Sequence, residues 1–246
     1  MRFAIFSDIH ANLEALEAVL ADAHQRKCTH FVCLGDVVGY GPEPDGVVER
    51  LKALKAQGVR GNHDTTAVSG EGLDWFNPEA RAAIEWTRST ISEATRTWLA
   101  ALPTQWQDEE RGMDLVHGSP RDPLWEYITS GAVAKANLDA LSSRTPFGLH
   151  GHTHIPVAWR ADDGRLELIR PENGERLDLD DRRTLLNPGS VGQPRDGDPM
   201  ASFMILETEP ASATWRRVPY DIAATQKAMR ALGLPGRLVD RLSFGV

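Results

Sequence analysis

The first 64 residues alternate short apolar runs with amphipathic stretches, and this alternation restricts the fold more than any other feature of the chain. Apolar runs at residues 2–6, 29–34 and 59–60 predict strands. Residues 13–20 and 47–54 carry apolar side chains at helical spacing and predict helices between those strands. A strand–helix–strand–helix–strand order builds a mainly parallel sheet with helices packed on its face.

Polar stretches with oxygen or imidazole donors follow the predicted strands. They are Ser7-Asp8-Ile9-His10, Leu34-Gly35-Asp36, Gly61-Asn62-His63-Asp64, His117-Gly118 and Gly151-His152-Thr153-His154. Because ligands of parallel sheets gather at the carboxyl ends of the strands, we expect these stretches to lie together. Five of the eight histidines of the chain fall in them, which is more than scattered structural histidines would produce. The joint pattern predicts a two-metal site with Asp36 as the shared ligand.

The donor types indicate which metals such a site would hold. In an extended segment, residues two apart point to the same side, so Asp8 and His10 can face one ion. A mixture of carboxylate, amide and imidazole donors suits manganese, iron, nickel or zinc better than calcium or copper. Taken singly, each residue also has a structural explanation: Asp36 as a turn residue, Asn62 as a helix cap, and His117 as a buried core histidine.

The rest of the chain is predicted to complete a single domain over residues 1–246. Residues 65–107 are expected to form a helical insertion or cap, and they hold most of the tryptophans. Those tryptophans either pack the insertion onto the domain or line a lid over the site. From residue 147 the chain is rich in predicted strands that look antiparallel, with a hairpin turn at 163–164. Residues 221–246 are expected to form a helical tail, and the whole is best drawn as two face-to-face sheets with helices outside.

Composition and cysteine spacing limit the partners and the compartment. A net charge of −8 and a pI near 5.5 argue against a broad nucleic-acid surface, without excluding a small phosphorylated substrate. No apolar stretch approaches a membrane span, and the predicted first strand leaves no room for a signal peptide. Cys28 and Cys33 lie about 16 Å apart on an extended strand, too far for a disulfide. We therefore expect a cytoplasmic protein with reduced thiols, and the oligomeric state stays open.

In order and spacing, the five polar stretches resemble the signature of the calcineurin-like metallophosphoesterases over about residues 1–220. The resemblance implies an α/β fold, a four-layer α/β/β/α sandwich of two mixed sheets with a dinuclear centre. It implies that Asp8, His10, Asp36 and His154 hold one ion and that Asp36, Asn62, His117 and His152 hold the other. Manganese is the expected cofactor, with iron, zinc and nickel as alternatives.

The resemblance also implies roles for residues outside the ligand set. His63 looks like the family histidine that contacts the substrate phosphate and assists the leaving group, while a metal-bound hydroxide attacks. Residues 187–195 resemble a stretch common in small bacterial-type members, and Arg195 there, like Arg121, is a candidate for phosphate binding or simply a surface charge. His150 is interpreted as structural.

The chain departs from the phosphoprotein phosphatases of this superfamily, which place an Asp-Arg pair three and four positions after the bridging aspartate. Gly39 and Tyr40 stand there instead, in a Gly-Tyr-Gly-Pro loop that is expected to be flexible. A phosphomonoester rewards an arginine clamp, so we expect small phosphodiesters, with room for the second substituent at Gly39 and Gly41. The alternatives are a phosphomonoesterase, a nucleotide or dinucleotide polyphosphate hydrolase, and a catalytically inactive scaffold such as the related retromer subunit.

Overall fold

The computed structural model of the chain describes residues 1–162 and 164–246. Its strands are β1 (Arg2–Phe6), β2 (His30–Cys33), β3 (Gln57–Gly58), β4 (Gln105–Asp108), β5 (Met113–Val116), β6 (Phe147–Leu149), β7 (Val157–Asp162), β8 (Arg165–Ile169), β9 (Arg176–Asp178), β10 (Thr184–Asn187), β11 (Ala201–Thr208) and β12 (Ala211–Val218). Its helices are α1 (Leu13–Gln25), α2 (Pro44–Ala53), α3 (Asn62–Ser69), α4 (Pro78–Thr90), α5 (Glu93–Ala101), α6 (Gly131–Ala140), α7 (Ile222–Ala231) and α8 (Gly236–Asp240).

The strands form two mixed sheets of six strands each within the described residues. The first has the order β3-β2-β1-β11-β12-β9, and the second has the order β4-β5-β6-β10-β7-β8. Strands β1, β2 and β3 run parallel to one another, as do β5, β6 and β10. Each sheet therefore has a group of neighbouring strands whose carboxyl ends lie at one edge.

The two sheets pack against each other, and helices cover their outer faces. Along β1, Phe3 and Ile5 point into the apolar core between the sheets, together with residues such as Leu115 and Leu186 of the second sheet. Ala4 and Phe6 point the other way, into the core beneath α1 and α2. The outer face of the second sheet packs against α6. This alternation explains why β1 is apolar from Phe3 to Phe6, and the predicted four-layer α/β/β/α fold is confirmed.

The third strand lies two residues earlier than predicted, at Gln57–Gly58 rather than at residues 59–60. Gly58 pairs with Cys33 so closely that a Cβ on residue 58 would lie 2.1 Å from the Cys33 carbonyl oxygen. After that contact the chain leaves the sheet, because the Arg60 N–H donates to the carbonyl of Pro103 at 2.9 Å.

Two elements in and around the insertion were not predicted. The helical insertion was expected from residue 65, but its first helix begins earlier: Asn62, His63 and Asp64 form the first turn of α3, and Asp64 accepts a hydrogen bond from the Gly61 N–H at 2.9 Å. Strand β4 pairs antiparallel with β5 at the edge of the second sheet. The predicted helical character of the insertion is present in α4 and α5, which are capped by the side chains of Asn77 and Ser92.

The antiparallel interpretation of the second half of the chain was only partly right. Strand β10 runs parallel to β6, and β9, β11 and β12 join the first sheet beside β1. Sequence order could not reveal this division, because long-range pairing decides which sheet receives a strand. Strands β7 and β8 form the predicted hairpin, with Asp162 opposite Arg165; residue 163 of its turn lies outside the described residues.

Candidate metal centre

The polar stretches lie at one edge of both sheets. Main-chain hydrogen bonds join the loops that carry them: the Asp8 N–H donates to the Gly35 carbonyl at 3.1 Å, and the Gly151 N–H donates to the His117 carbonyl at 2.9 Å. The loop after β10 joins the same edge through the Gly192 N–H, which donates to the Asp8 carbonyl at 2.9 Å. The carboxyl ends of parallel strands therefore converge as the sequence predicted.

Asp8, His10 and His154 form one group of donor atoms. His154 Nε2 lies 3.3 Å from Asp8 Oδ1 and 3.2 Å from His10 Nε2. Their side chains are buried to within 2% of complete. The second carboxylate oxygen of Asp8 accepts the His152 N–H at 3.1 Å, which fixes the carboxylate so that Oδ1 faces the two imidazoles.

His117 is the centre of a second group, with Asn62 and His152. Its Nε2 atom lies 3.1 Å from both Asn62 Oδ1 and His152 Nδ1. Asn62 occupies the first position of α3, so its side chain is held by the start of a helix rather than by a free loop. The structure thus brings all of these predicted residues together.

Asp36 lies between the two groups. Its Oδ2 atom is 3.7 Å from His10 Nε2 on one side and 3.2 Å from His117 Nε2 on the other. Its Oδ1 atom accepts the His63 N–H at 2.9 Å, which leaves Oδ2 directed at both groups. One carboxylate oxygen can therefore serve two neighbouring ions.

Main-chain carbonyl groups fix the orientation of the four imidazoles. A carbonyl oxygen can only accept, so the ring nitrogen facing it must carry the hydrogen. The pairs are His10 Nδ1 with Val38 at 3.2 Å, His117 Nδ1 with Leu34 at 2.8 Å, His154 Nδ1 with Gln193 at 2.6 Å and His152 Nε2 with Trp125 at 3.3 Å. In each ring the other nitrogen is directed into the cluster.

The donor set fits divalent cations. Burial lowers the pKa of His10 and of His154 well below 6.5, so two neutral rings direct lone pairs at each other across 3.2 Å. Asp8 Oδ1 is buried without a hydrogen-bond partner among the described residues. A cation between these atoms would satisfy all three, whereas an empty cluster leaves lone pairs opposed.

His117 and the Asp36 carboxylate shift each other's pKa values. Burial lowers the pKa of His117, but the nearby Asp36 carboxylate outweighs it and raises that pKa to about 9. Despite burial, His117 and the other imidazoles hold the pKa of Asp36 well below its usual range. Three acceptors then surround a single N–H on His117 Nε2, and a metal ion could replace that proton. Burial raises the pKa of Asp8 to about 7.

Backbone strain concentrates at this cluster. Among the described residues nine non-glycine positions have positive φ, and five of them are Asp8, His10, Asp36, His152 and His154, with φ between 50° and 67°. Such conformations cost free energy and persist where the surrounding structure requires them, often at functional sites.

His63 lies beside the cluster in an aromatic setting. Its ring is 4.4 Å from the ring of Tyr40 and 4.7 Å from that of Phe76, measured between centroids. Its Nδ1 atom is buried without a hydrogen-bond partner among the described residues. Asp64, the adjacent carboxylate, accepts from the main chain of Gly61 and Val38 and does not orient this imidazole.

The loop of Gly39 to Gly41 does not provide the expected room. A Cβ on residue 39 would lie 2.4 Å from His63 Nδ1, and one on residue 41 would lie 2.2 Å from the His10 carbonyl oxygen. Tyr40 is 7% exposed and packs among apolar residues. The glycines therefore permit close packing of the site, and the interpretation of this loop as space for a substrate substituent is corrected.

The two candidate arginines lie in different places. Arg195 lines a cavity of about 340 Å³ that reaches Asn62 and His63, and its guanidinium donates to Gln193 Oε1 at 2.9 Å. Arg121 is about half exposed and pairs with Glu126 at 3.6 Å, and it is not among the residues lining that cavity. The structure brings only Arg195 to the centre.

Sequence reasoning missed three residues that line the same cavity: Trp125, Tyr127 and Arg241. Trp125 and Tyr127 follow the His117 stretch in a loop without periodicity, and the Tyr127 ring stacks on His152 with centroids 3.7 Å apart. Arg241 belongs to the C-terminal tail. The one available signal was the cluster of aromatic residues shortly after a candidate ligand.

The tryptophans of the insertion were expected either to pack it onto the domain or to line a lid over the site, and both arrangements occur. Trp75 lines the cavity beside Phe76, whereas Trp86 packs on the cluster that includes the C-terminal helices. Trp98 and Trp106 pack against the two main cores. Contact of Trp75 with substrate stays a prediction.

Comparisons with known proteins identify the family. The model of the calcineurin-like phosphoesterase superfamily domain matches residues 1–211. The chain belongs to this superfamily. It is 44% identical to a metallophosphoesterase of Sphaerobacter thermophilus, whose crystal structure superposes with a TM-score of 0.90 over 100% of this chain and 99% of that one. The predicted family membership is confirmed.

Two curated relatives extend the comparison. An uncharacterised protein of Methanocaldococcus jannaschii, MJ0912, is 38% identical over 98% of this chain and 97% of its own length. The phosphodiesterase YfcE of Escherichia coli is 29% identical over 85% of this chain and 89% of its own length. These likenesses support a phosphoesterase. Separately, no helix among the described residues is long and apolar enough to cross a membrane.

Proposed function

We propose that the protein is a metal-dependent phosphodiesterase that holds two divalent ions, manganese first among them. Asp8, His10 and His154 would hold one ion, and Asn62, His117 and His152 the other. The observation that carries the proposal is the position of Asp36 Oδ2 between His10 Nε2 and His117 Nε2, at 3.7 and 3.2 Å. When bound, such an ion pair polarises a phosphate oxygen and lowers the pKa of water.

The residues of the chain hold the proposed ligand side chains in a fixed orientation and exclude water from the buried cluster. Carbonyl groups hold the imidazoles, and the Asp8 and Asp36 carboxylates are each fixed by a main-chain N–H. Hydrolysis breaks one P–O ester bond: the hydroxyl of water goes to phosphorus, and the leaving oxygen gains a proton. Protonated His63 is proposed to donate that proton and to be reprotonated by the proton that water releases, since its ring borders both the cluster and the cavity.

The protonation state of His63 depends on the substrate. Burial lowers its pKa to about 4 in spite of the Asp36 carboxylate, and the charge of Arg195 adds to the lowering. A bound phosphate brings negative charge beside the ring and raises the pKa again. The protonated form that donation requires is therefore expected in the substrate complex rather than in the free protein.

Arg195 gives a specific reason to retain a phosphomonoesterase as the second candidate. Its guanidinium lies 3.5 Å from the hydroxyl of Tyr40, the residue that stands at the sequence position where phosphatases of the superfamily have their arginine. It could therefore grip a doubly charged phosphate. The diester is favoured because the E. coli relative is named a phosphodiesterase and because Tyr40 replaces the arginine in the loop after Asp36.

One experiment separates these functions. Protein stripped with a chelator is reloaded with manganese, iron, zinc or nickel, and kcat/KM is measured for bis(p-nitrophenyl) phosphate and p-nitrophenyl phosphate at matched pH. Higher kcat/KM for the diester is expected with manganese. Preference for the monoester would move the protein to the phosphatases, and two bound ions without hydrolysis of either ester would favour a scaffold.

A further inference from the structure

The cavity beside His63 has a wall of aromatic rings. We call it the aromatic wall and define it as Trp75, Phe76, Trp125 and Tyr127. With Tyr40, five of the 17 aromatic residues of the chain line this cavity, a strong concentration for a space of about 340 Å³. The rings meet edge to face, with centroids 4.6 Å apart for Trp75 and Trp125 and 6.0 Å apart for Phe76 and Trp125.

Trp75 is not explained by packing of the protein. It is 71% exposed, whereas Trp159 and Trp215 are at most 8% exposed. It lies in a short 3-10 turn at Leu73–Trp75 that has no buried residue. The Trp75 ring contacts the ring of Trp125. The Trp125 indole in turn packs against Gly72, and a Cβ on residue 72 would lie 2.5 Å from it. The insertion therefore presents a tryptophan to the cavity instead of burying it.

Two arginines supply positive charge to the same cavity. Neither Arg195 nor Arg241 forms an ion pair with a carboxylate side chain among the described residues, although the chain has a net charge of −8. Arg195 also keeps a buried Nε without a hydrogen-bond partner in the part of the chain that the structure describes. Arg241 Nε donates to the main-chain oxygen of Val246, and Arg195 donates to Gln193, so the structure shows no side-chain carboxylate that neutralises either charge among the described residues. Such cations beside an exposed planar ring match a ligand that is both planar and anionic.

Arg241 reaches the cavity because the C-terminal tail packs on the insertion. Met229, Leu238 and Leu242 of the tail form one apolar cluster with Tyr40 and with α4. The tail lies beyond the residues matched by the family model, which end at 211. The Arg241 guanidinium thus belongs to the cavity and is not one of the proposed metal ligands.

We propose that the cavity binds the nucleoside of a nucleotide substrate, with the base stacked on the exposed ring of Trp75 and the phosphate charge held by Arg195 and Arg241. This inference names the substrate class of the proposed phosphodiesterase and rests on that function. A cavity of about 340 Å³ has room for one nucleoside beside the scissile phosphate. Base–aromatic stacking tolerates any base, so the preference is for nucleotides as a class.

Two esters with the same leaving group test the proposal. The p-nitrophenyl ester of thymidine 5′-phosphate and ethyl p-nitrophenyl phosphate differ only in the nucleoside, and both release p-nitrophenolate. In the presence of manganese, kcat/KM is expected to be at least about 10-fold higher for the thymidine ester, a ratio within the range of base stacking. Trp75→Ala should remove most of that advantage, because it should lower kcat/KM for the thymidine ester several-fold more than kcat/KM for the ethyl ester.

Trp86→Phe is the matched control, because Trp86 lies in the same insertion but packs against the apolar cluster formed by α4 and the C-terminal tail. It should keep the preference for the thymidine ester. Equal kcat/KM for the two esters in the wild type, or equal losses for both in Trp75→Ala, would overturn the nucleoside subsite and leave the phosphodiesterase standing. Hydrolysis of neither ester would overturn the phosphodiesterase instead.

Calorimetry tests the subsite without turnover. Thymidine 5′-monophosphate should bind wild-type protein with manganese about 10-fold more tightly than ethyl phosphate does. Trp75→Ala should weaken the binding of thymidine 5′-monophosphate several-fold more than the binding of ethyl phosphate. A nucleotide affinity that is unchanged in Trp75→Ala would overturn the proposal even if the enzyme is inactive.

Discussion

The imidazole of His63 lies directly against Gly39, and a Cβ on residue 39 would come within 2.4 Å of its Nδ1 atom. Residue 39 also has φ +92°, a conformation that L side chains rarely adopt. Glycine is therefore required twice at this position, once by the backbone and once by the neighbouring ring. The contact fixes where His63 stands relative to Asp36.

Gly39→Ala is expected to displace His63 and to lower kcat/KM for a phosphodiester with an alkoxide leaving group by about 10- to 100-fold, since a misplacement of about 1 Å can cost that much. Metal content should stay normal, because the three atoms nearest to the added Cβ all belong to His63, which is not a proposed ligand. Steady-state kinetics and elemental analysis of the purified variant measure both quantities.

Gly197→Ala is the control for backbone strain. Residue 197 has φ +88°, and nothing lies within 4 Å of the position of its Cβ. The variant carries the same conformational cost without the clash, so activity should remain near that of the wild type. A similar loss in both variants would show that strain, and not the His63 contact, explains the effect.

Asp36→Asn is expected to lose most bound metal and at least about 100-fold in kcat/KM. The amide replaces an oxygen that faces two donor groups, so both proposed coordination spheres weaken together. Asp114→Asn is the control, since Asp114 is equally buried but bonds to Gln105 on β4. A variant of Asp36 with two tightly bound ions and normal turnover would refute the bridging role.

His63→Ala is expected to keep both metals and to lose about 10²- to 10⁴-fold in rate, the usual contribution of a positioned acid. The loss should shrink as the leaving group improves, because a p-nitrophenolate needs little protonation and an alkoxide needs much. Rates for a series of esters of graded leaving-group pKa measure this dependence. Equal losses across the series would assign His63 to phosphate binding alone.

Asn12→Ala should destabilise the fold more than the loss of a single helix-cap hydrogen bond would. The Asn12 amide oxygen accepts from the Ala15 N–H and from the Thr225 hydroxyl, both at 3.1 Å. Its amide nitrogen donates to the Gly192 carbonyl at 3.0 Å and to the Tyr220 hydroxyl at 3.3 Å. Losing these bonds should lower the free energy of unfolding by about 3 kcal/mol, as measured by urea denaturation.

Asn77→Ala is the matched cap variant, because Asn77 accepts only the Ala80 N–H, at 2.9 Å, among the described residues. Its cost should be about 1 kcal/mol. If both variants lose the same free energy, the links from Asn12 to the tail and to the Gly192 loop contribute nothing to stability.

Much of the fold could be predicted because its signals are local. The apolar pattern of β1 shows a strand buried on both faces, and Asn77-Pro78 marks a helix start through its own chemistry. Some predicted ligands also follow directly from strand ends, since parallel pairing of β1 with β2 brings Asp8 and Asp36 to one edge of the first sheet. Neighbours along the chain were enough for these predictions.

Other features depended on contacts between distant segments. No local pattern assigns β11 and β12 to the first sheet, because the sequence of a strand does not identify the strand with which it pairs. The same holds for Trp125 and Arg241, which reach the cavity from a loop and from the tail. The sequence by itself determined the elements and the donor types. Only the tertiary structure decided which side chains surround His63, because packing between remote segments fills the space that a sequence leaves undefined.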